Sequence, residues 1–250
     1  KHEAIEKLSS WGCEVREQDP RYEGLPHKIF DSQTGITFIL IPPGEFQMGS
    51  PDTEIGRDQV EISHQVTITR PFYLGETEVT QAQWNTLMEP TNQPTTGEDY
   101  PMERVSWDSC QSFCEKAGDG YRLPTEAEWE FACRAGASEQ VPFSFGQSIS
   151  VDDVNYSSVR AQEVRSYPPN AFGIYEMHGN VSEWCMDRYG RYPLDAVVDW
   201  SGPKFGSGRV IRGGFYGGNF AEECRSASRI AGRPSFLNLG SGFRVVRGFE

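Results

Sequence analysis

The residues with most chemistry to offer lie in "RGGFYGGNFAEECRSASR", residues 212–229. Arg212, Gly213 and Gly214 open a tight turn, Cys224 follows, and the stretch closes on Arg225 and Arg229. A cysteine that loses its proton is a nucleophile and a ligand for soft metals, so Cys224 could be a catalytic thiol. The alternative is a recognition surface in which the thiol is incidental. The other cysteines favour packing: none forms a CxxC pair or joins a clustered Cys/His spacing that would mark zinc. Cys110 and Cys114 are one helical turn apart, where both can face a core as small hydrophobes. Glu126 and Glu130 have the spacing of paired carboxylates, but in "PTEAEWEFACR" they read as the solvated outer face of a helix.

The elements that must position these residues are unevenly written. "VSWDSCQSFCEKAG" places Cys110, Phe113, Cys114 and Ala117 on one helical face, with Gly118 as its stop. "RLPTEAEWEFACRAG" carries a capping box, Thr125 with Glu128, and buries Trp129, Ala132 and Cys133. "TEVTQAQWNTLM" reads as a further helix with Thr80 as N-cap. "GITFILIPPGEFQMGS" predicts a strand into a turn, and "HQVTITRPFYLG" a strand pair. After residue 137 only "GRVIRGG" and "SGFRVVRGF" read as strands among Pro, Gly, Asn, Asp and Ser. Residues 1–34 read as an N-terminal extension or linker, and 35–250 as one domain. The expected fold class is α+β with much of the chain in loops, which need an ion or a dense hydrogen-bond network to hold them.

At 250 residues, 37% hydrophobic and 24% charged, the chain has ordinary globular composition. Its net charge of −13 argues against a nucleic-acid partner, which calls for a dense basic face. No run of about 18 apolar residues is present to span a membrane. The start at Lys1 shows no charged-then-apolar leader pattern, and because it is not Met the compartment stays open.

"IPPGEFQMGS", "PFYLGETEVTQAQW", "PMERVSWDSCQSFCEKAG", "YRLPTEAEWEFACRAG", "NAFGIYEMHGNVSEW" and "RVIRGG…RSASR…GFRVVR" follow one another in an order that resembles the formylglycine-generating enzyme, or sulfatase-modifying factor, domain family. The resemblance covers about residues 36–248. It implies a C-type-lectin-like α+β fold with little regular secondary structure. Family members include copper-dependent oxidases that convert a substrate cysteine to formylglycine, and soft Cu(I) there is held by two facing thiolates. Here Gly218 stands where the first of those cysteines is expected, Glu223 where the second is, and Phe215 replaces the serine of the turn. Cys224 is one place off and lacks a partner, so copper is not expected and Cys224 is catalytic only under an oxidase alternative. A related sulfoxide-synthase branch takes iron from histidines, and His2, His27, His64 and His178 are too scattered to match it. The resemblance also implies structural calcium at the "GNVSEW" element, with Asn180 and Glu183 as hard oxygen donors and the Val181 carbonyl beside them. A second family site would use Asn155, but the segment that completes it is shortened.

The form "RGGFY…CRSASR…GFRVV" is similar to the non-oxidase branch of the family, which includes variable proteins diversified by retroelements that replace adenines in a template. An AAC codon so altered yields Ile, Ala, Gly, Phe, Leu or Ser, but never Lys, Glu, Gln, Met or Trp. Ile230, Ala231, Gly232, Ser235, Phe236, Leu237, Leu239, Gly240 and Ser241 all obey that limit, and Asn219 and Asn238 fit as unaltered survivors. The expectation is a ligand-binding module whose region 212–247 presents Phe215, Tyr216, Gly217, Gly218, Asn219, Phe220, Ile230, Ala231, Ser235, Phe236, Leu237, Asn238 and Leu239 to a protein or other macromolecule. Tyr216, Phe220 and Phe236 are expected to be partly exposed, and Phe243 and Val245 to be core. The alternatives are a copper-dependent oxidase of sulfatase cysteines and a fixed scaffold domain of a larger bacterial protein.

Overall fold

A computed structural model describes residues 2–18, 24–137 and 140–249. Helix α1 (His2–Ser10) leads into β1 (Glu14–Glu17) and β2 (Lys28–Asp31), which continue into β3 (Ile36–Ile41), β4 (Gly44–Met48), β5 (His64–Ile68) and β6 (Phe72–Gly75). Three helices follow, α2 (Gln81–Asn85), α3 (Trp107–Ala117) and α4 (Glu126–Arg134), with β7 (Tyr121–Arg122) between the last two. The remaining strands are β8 (Ser182–Arg188), β9 (Val197–Val198), β10 (Arg209–Arg212), β11 (Arg229–Gly232), β12 (Ser241–Gly242) and β13 (Val246–Arg247). They form a six-stranded sheet in the order β1-β2-β3-β6-β13-β7, a four-stranded sheet β11-β10-β8-β12 and a three-stranded sheet β4-β5-β9.

The helix starts follow their local chemistry. Thr125 accepts from the Glu128 amide and the Glu128 carboxylate accepts from the Thr125 amide, so two otherwise orphaned donors at the start of α4 are satisfied. Thr80 and Gln83 make the same exchange at α2, and Ser106 caps α3. Cys110, Phe113, Cys114 and Ala117 face one core with Phe243 and Val245, while Trp129, Ala132 and Cys133 face a second.

Three expectations change. The described part of residues 1–34, expected as an extension or linker, packs on the rest of the chain: β2 pairs with β3 through four residue pairs, and Trp11 stacks on Phe249 and packs against Tyr73. The 34/35 boundary therefore falls in a turn between hydrogen-bonded strands. Glu126 and Glu130 do not face solvent. Both are fully buried, with Glu126 bound to Arg229 at 2.6 and 2.7 Å and Glu130 bound to Arg134 and Arg212. Finally, residues 182–188, inside the stretch read as irregular, form β8 at the centre of its sheet.

Candidate ligand-binding site

The C-terminal site hangs between β10 and β11, which pair antiparallel from Arg209↔Gly232 to Arg212↔Arg229. The excursion joining them, 213–228, begins with Gly213 and Gly214 at φ of 92° and 71°. A side chain at Gly214 would strike Cys224, its Cβ lying 2.6 Å from Sγ, so the turn closes over the thiol. Arg225 then clamps the segment to the loop after β4, donating to Glu54 at 2.6 Å and to Glu61 at 2.8 and 2.9 Å.

Burial sorts the expected ligand residues into two groups. Phe215, Ile230, Ala231, Asn238 and Leu239 line one groove of about 360 Å³, whose floor includes Ser182, Ile211 and Arg212. Gly217, Asn219, Phe220, Ser235, Phe236 and Leu237 are exposed outside that lining. Tyr216 is not part of the surface. It is 3% exposed, packs on Ala161 and Val181, and donates its hydroxyl to Glu103 at 3.1 Å. Gly218 is also buried. Three of the residues that obey the codon limit sit below the surface: Gly232, Gly240 and Ser241. A Cβ on Gly232 would fall 2.3 Å from Trp184, and one on Gly240 2.2 Å from Phe215, so neither position can vary freely.

Neither thiol of this region reaches solvent. A Cβ on Gly218 would lie 2.6 Å from Oε2 of Glu223, so the fold brings together the two positions where a thiolate pair would stand, occupied here by glycine and glutamate. Cys224 is buried, and burial pushes its thiol up to about 12, with Glu223 adding to the shift. Sequence reasoning gave Cys224 no partner, yet Cys133 of α4 lies near enough to raise the Cys224 thiol electrostatically. Burial also pushes Cys133 to about 12. Its polar neighbours are Ser226, at 3.5 Å, and His178, at 3.6 Å, and the histidine is already committed. With a carbonyl as its partner, Nδ1 must donate to Cys224 O at 2.7 Å, leaving Nε2 to accept from the Ser144 amide at 3.0 Å. Burial holds this imidazole neutral, near pKa 4. Cys133 and Cys224 are both fully enclosed, the Cys133 sulfur lying against His178 and Ser226, so no solvent-facing pair of thiols stands at the site.

The calcium expectation meets a similar test. Oδ1 of Asn180 accepts from Asn155 Nδ2 at 3.0 Å and from the Gln162 amide at 2.9 Å. Both oxygens of Glu183 are taken by Arg244, at 2.6 and 2.7 Å, and Oε2 also accepts from Trp129 Nε1. Val181 is fully buried, its amide donating to Glu78 at 3.4 Å. Side-chain oxygens so engaged at Asn180 and Glu183 do not fit a calcium ion, and among the described residues no cluster of three or more His, Cys, Asp or Glu is arranged to hold a metal. Asn155, the anchor of the implied second site, donates from Nδ2 to the Arg160 carbonyl and to Asn180, and its backbone carbonyl accepts from the Asn180 amide at 2.8 Å. The framing role of Arg244, Glu103, Glu130 and His178 was missed in the sequence, because each acts on a partner remote along the chain.

The match to known proteins follows this geometry. Residues 27–249 match the sulfatase-modifying factor enzyme 1-like domain. A formylglycine-generating enzyme of Mus musculus is 28% identical over 202 residues, covering 73% of this chain and 53% of that protein. A protein named serine/threonine-protein kinase pkn1, from Chlamydia pneumoniae, is 32% identical over 239 residues, covering 84% of this chain. The chain spans 37% of that relative's length. Among solved structures, Treponema denticola variable protein 1 superposes with a TM-score of 0.73 at 26% identity, covering 85% of this chain and 95% of that one. PvdO from Pseudomonas aeruginosa gives a TM-score of 0.74 at 29% identity, covering 88% and 97%. Among the described residues no helix is long and apolar enough to cross a membrane. The chain belongs to the sulfatase-modifying factor family, which includes the formylglycine-generating enzymes, and carries its C-type-lectin-like α+β fold.

Proposed function

We propose that this chain is a non-catalytic ligand-binding module of its family, of the variable-protein kind, whose C-terminal loops hold a protein or other macromolecular ligand. One observation carries the reading. The two positions that would supply copper-binding thiolates meet as Gly218 and Glu223, while Phe220, Ile230, Phe236, Leu237 and Leu239 of the same region are exposed. Large apolar side chains left in water around a groove mark a recognition surface. The likeness to a protein titled a variable protein supports the same reading.

The test has two arms. The protein, loaded with Cu(I) under oxygen, is incubated with a cysteine-containing sulfatase peptide and the product is weighed by mass spectrometry. No formylglycine is expected, and turnover lost in Cys224→Ala would refute the reading in favour of the oxidase. The genomic DNA beside the codons for 212–247 is then sequenced. A near-copy differing only at adenines, next to a reverse transcriptase, is expected; its absence would refute the variable-protein part and leave a fixed binding module.

A further inference from the structure

Three strands of four or more residues stand at sheet edges: β1, β4 and β11. An edge strand offers unpaired backbone N–H and C=O groups, and proteins that must stay apart blunt such edges with charge. Two of the three are treated so. β1 is exposed at every position and reads Glu14, Val15, Arg16, Glu17. The exposed positions of β4 are Glu45 and Gln47. β11 is different. Its two exposed residues are its central ones, Ile230 and Ala231, while Arg229 and Gly232 turn inward. Among the described residues, no backbone hydrogen bond outside the ladder to β10 reaches residues 229–232.

The surroundings fit an extended chain. Ile230 and Ala231 of β11 line the groove together with Asn238 and Leu239. Past the Gly232 end, Gly208 abuts Ala231, with its Cβ position 3.4 Å from that of Ala231. Charge selects the partner's sign. Arg212 and Arg229 are neutralised inside by Glu126 and Glu130, so the carboxylate of Glu223 is the uncompensated charge among the groove-lining side chains. With −13 over the whole chain, a second copy of this protein is a poor occupant and a basic one is favoured.

We propose that β11 is an open docking edge, completed by an extended, basic segment of a partner protein that adds a strand beside Ile230 and Ala231. Main-chain bonds then give affinity, and the flanking side chains give choice of sequence. The inference rests on the ligand-binding reading of the same surface.

The probe is a labelled peptide of about seven residues, alternating valine and lysine, followed by fluorescence anisotropy. Two further peptides carry N-methyl groups on one or the other alternate set of amides. Only one edge of an added strand faces β11, so one methylated peptide is expected to lose about tenfold or more in affinity and the other to bind like the parent. The double change Ile230→Lys, Ala231→Lys, which copies the protection of β1 at exposed positions, is expected to cost a similar factor, with unfolding unchanged. Equal binding by both methylated peptides would overturn strand addition and leave the ligand-binding reading standing. Loss in both, or no binding of the parent at about 1 mM, would also overturn it. So would a dimer, seen by sedimentation, that the double lysine change disperses, since the occupant would then be a second copy.

Discussion

The alkylation rate of Cys224 follows from its burial and tests the non-catalytic reading without any knowledge of a ligand. An ordinary thiol at the reference value of 9.0 is about one-tenth thiolate at pH 8, whereas one pushed up to about 12 is thiolate at only ~10⁻⁴. The thiolate is the reacting species, so the ratio alone slows modification ~10³-fold, and enclosure behind Gly214 adds to it. The measurement is the rate at which iodoacetamide modifies each cysteine in the native protein, read by mass spectrometry of the fragments, with the denatured chain as reference. Cys224 and Cys133 are expected to be at least ~10³-fold slower than in the denatured chain, and each rate should rise about tenfold per pH unit. Cys13, half-buried and pushed to about 11, should react faster than either and still be ~10²-fold protected. Native labelling of Cys224 within tenfold of the denatured rate would refute the argument, because it would require an accessible thiol of low pKa.

Four other perturbations have defined outcomes. Glu130→Ala leaves Arg212 and Arg134 as buried charges short of a partner and should lower unfolding free energy by ~3–5 kcal/mol in denaturant titration. For Glu126, burial raises the carboxyl pKa but Arg229 and Arg212 outweigh it, so the folded value lies below the unfolded one; its contribution is present above the unfolded pKa and lost as acid drives pH through the folded one. Stability profiles against pH should therefore fall less steeply in acid for Glu126→Gln than for the parent. Leu237→Ser, at an exposed site, should change stability by less than ~0.5 kcal/mol, whereas Gly240→Ala, at positive φ against Phe215, should cost ~1–3 kcal/mol. Chelation with EDTA should leave the Tm unchanged, because the oxygens of Asn180 and Glu183 are held by protein donors; a fall of several degrees would refute that assignment.

What could be read from the sequence was what is determined locally. The capping box of Thr125 and Glu128 spans three residues, and the buried stripe of α3 repeats with the helix, so both were legible. β8 was not, because a strand covered on both faces does not alternate: Ser182 to Cys185 are all buried. Glu126 and Glu130 were misread for a different reason. Their spacing on the helix is that of a solvated face, and the arginines that draw them inward come from 82 and 103 residues further along. Tyr216 was taken for a surface aromatic in a glycine-rich turn, and its partner Glu103 is 113 residues away. At the site, the meeting of Gly218 with Glu223 was legible through resemblance, while the nearness of Cys133 to Cys224 had no signal in spacing at all.

The same long-range pairs explain how this surface can be exposed without being loose. Arg212, Arg225, Arg229 and Arg244 are all buried, and each is gripped by acids from other parts of the chain: Glu126 and Glu130, Glu54 and Glu61, Glu126 again, and Glu183. Removing one member of such a pair strands the other in a poorly solvated interior, so these residues fix the path of the chain from 212 to 247. The outward side chains between them contribute little to that path. Ile230 and Ala231 project from a strand whose neighbours are the inward Arg229 and Gly232, and Phe236, Leu237 and Leu239 follow while Gly240 and Ser241 turn back inside. A substitution at an outward position changes what a partner meets but leaves the ionic frame, the Gly240–Phe215 contact and the Gly232–Trp184 contact intact. Position by position, then, burial divides what the surface presents from what holds it in place, and a fold with that division tolerates a change of ligand without a change of backbone.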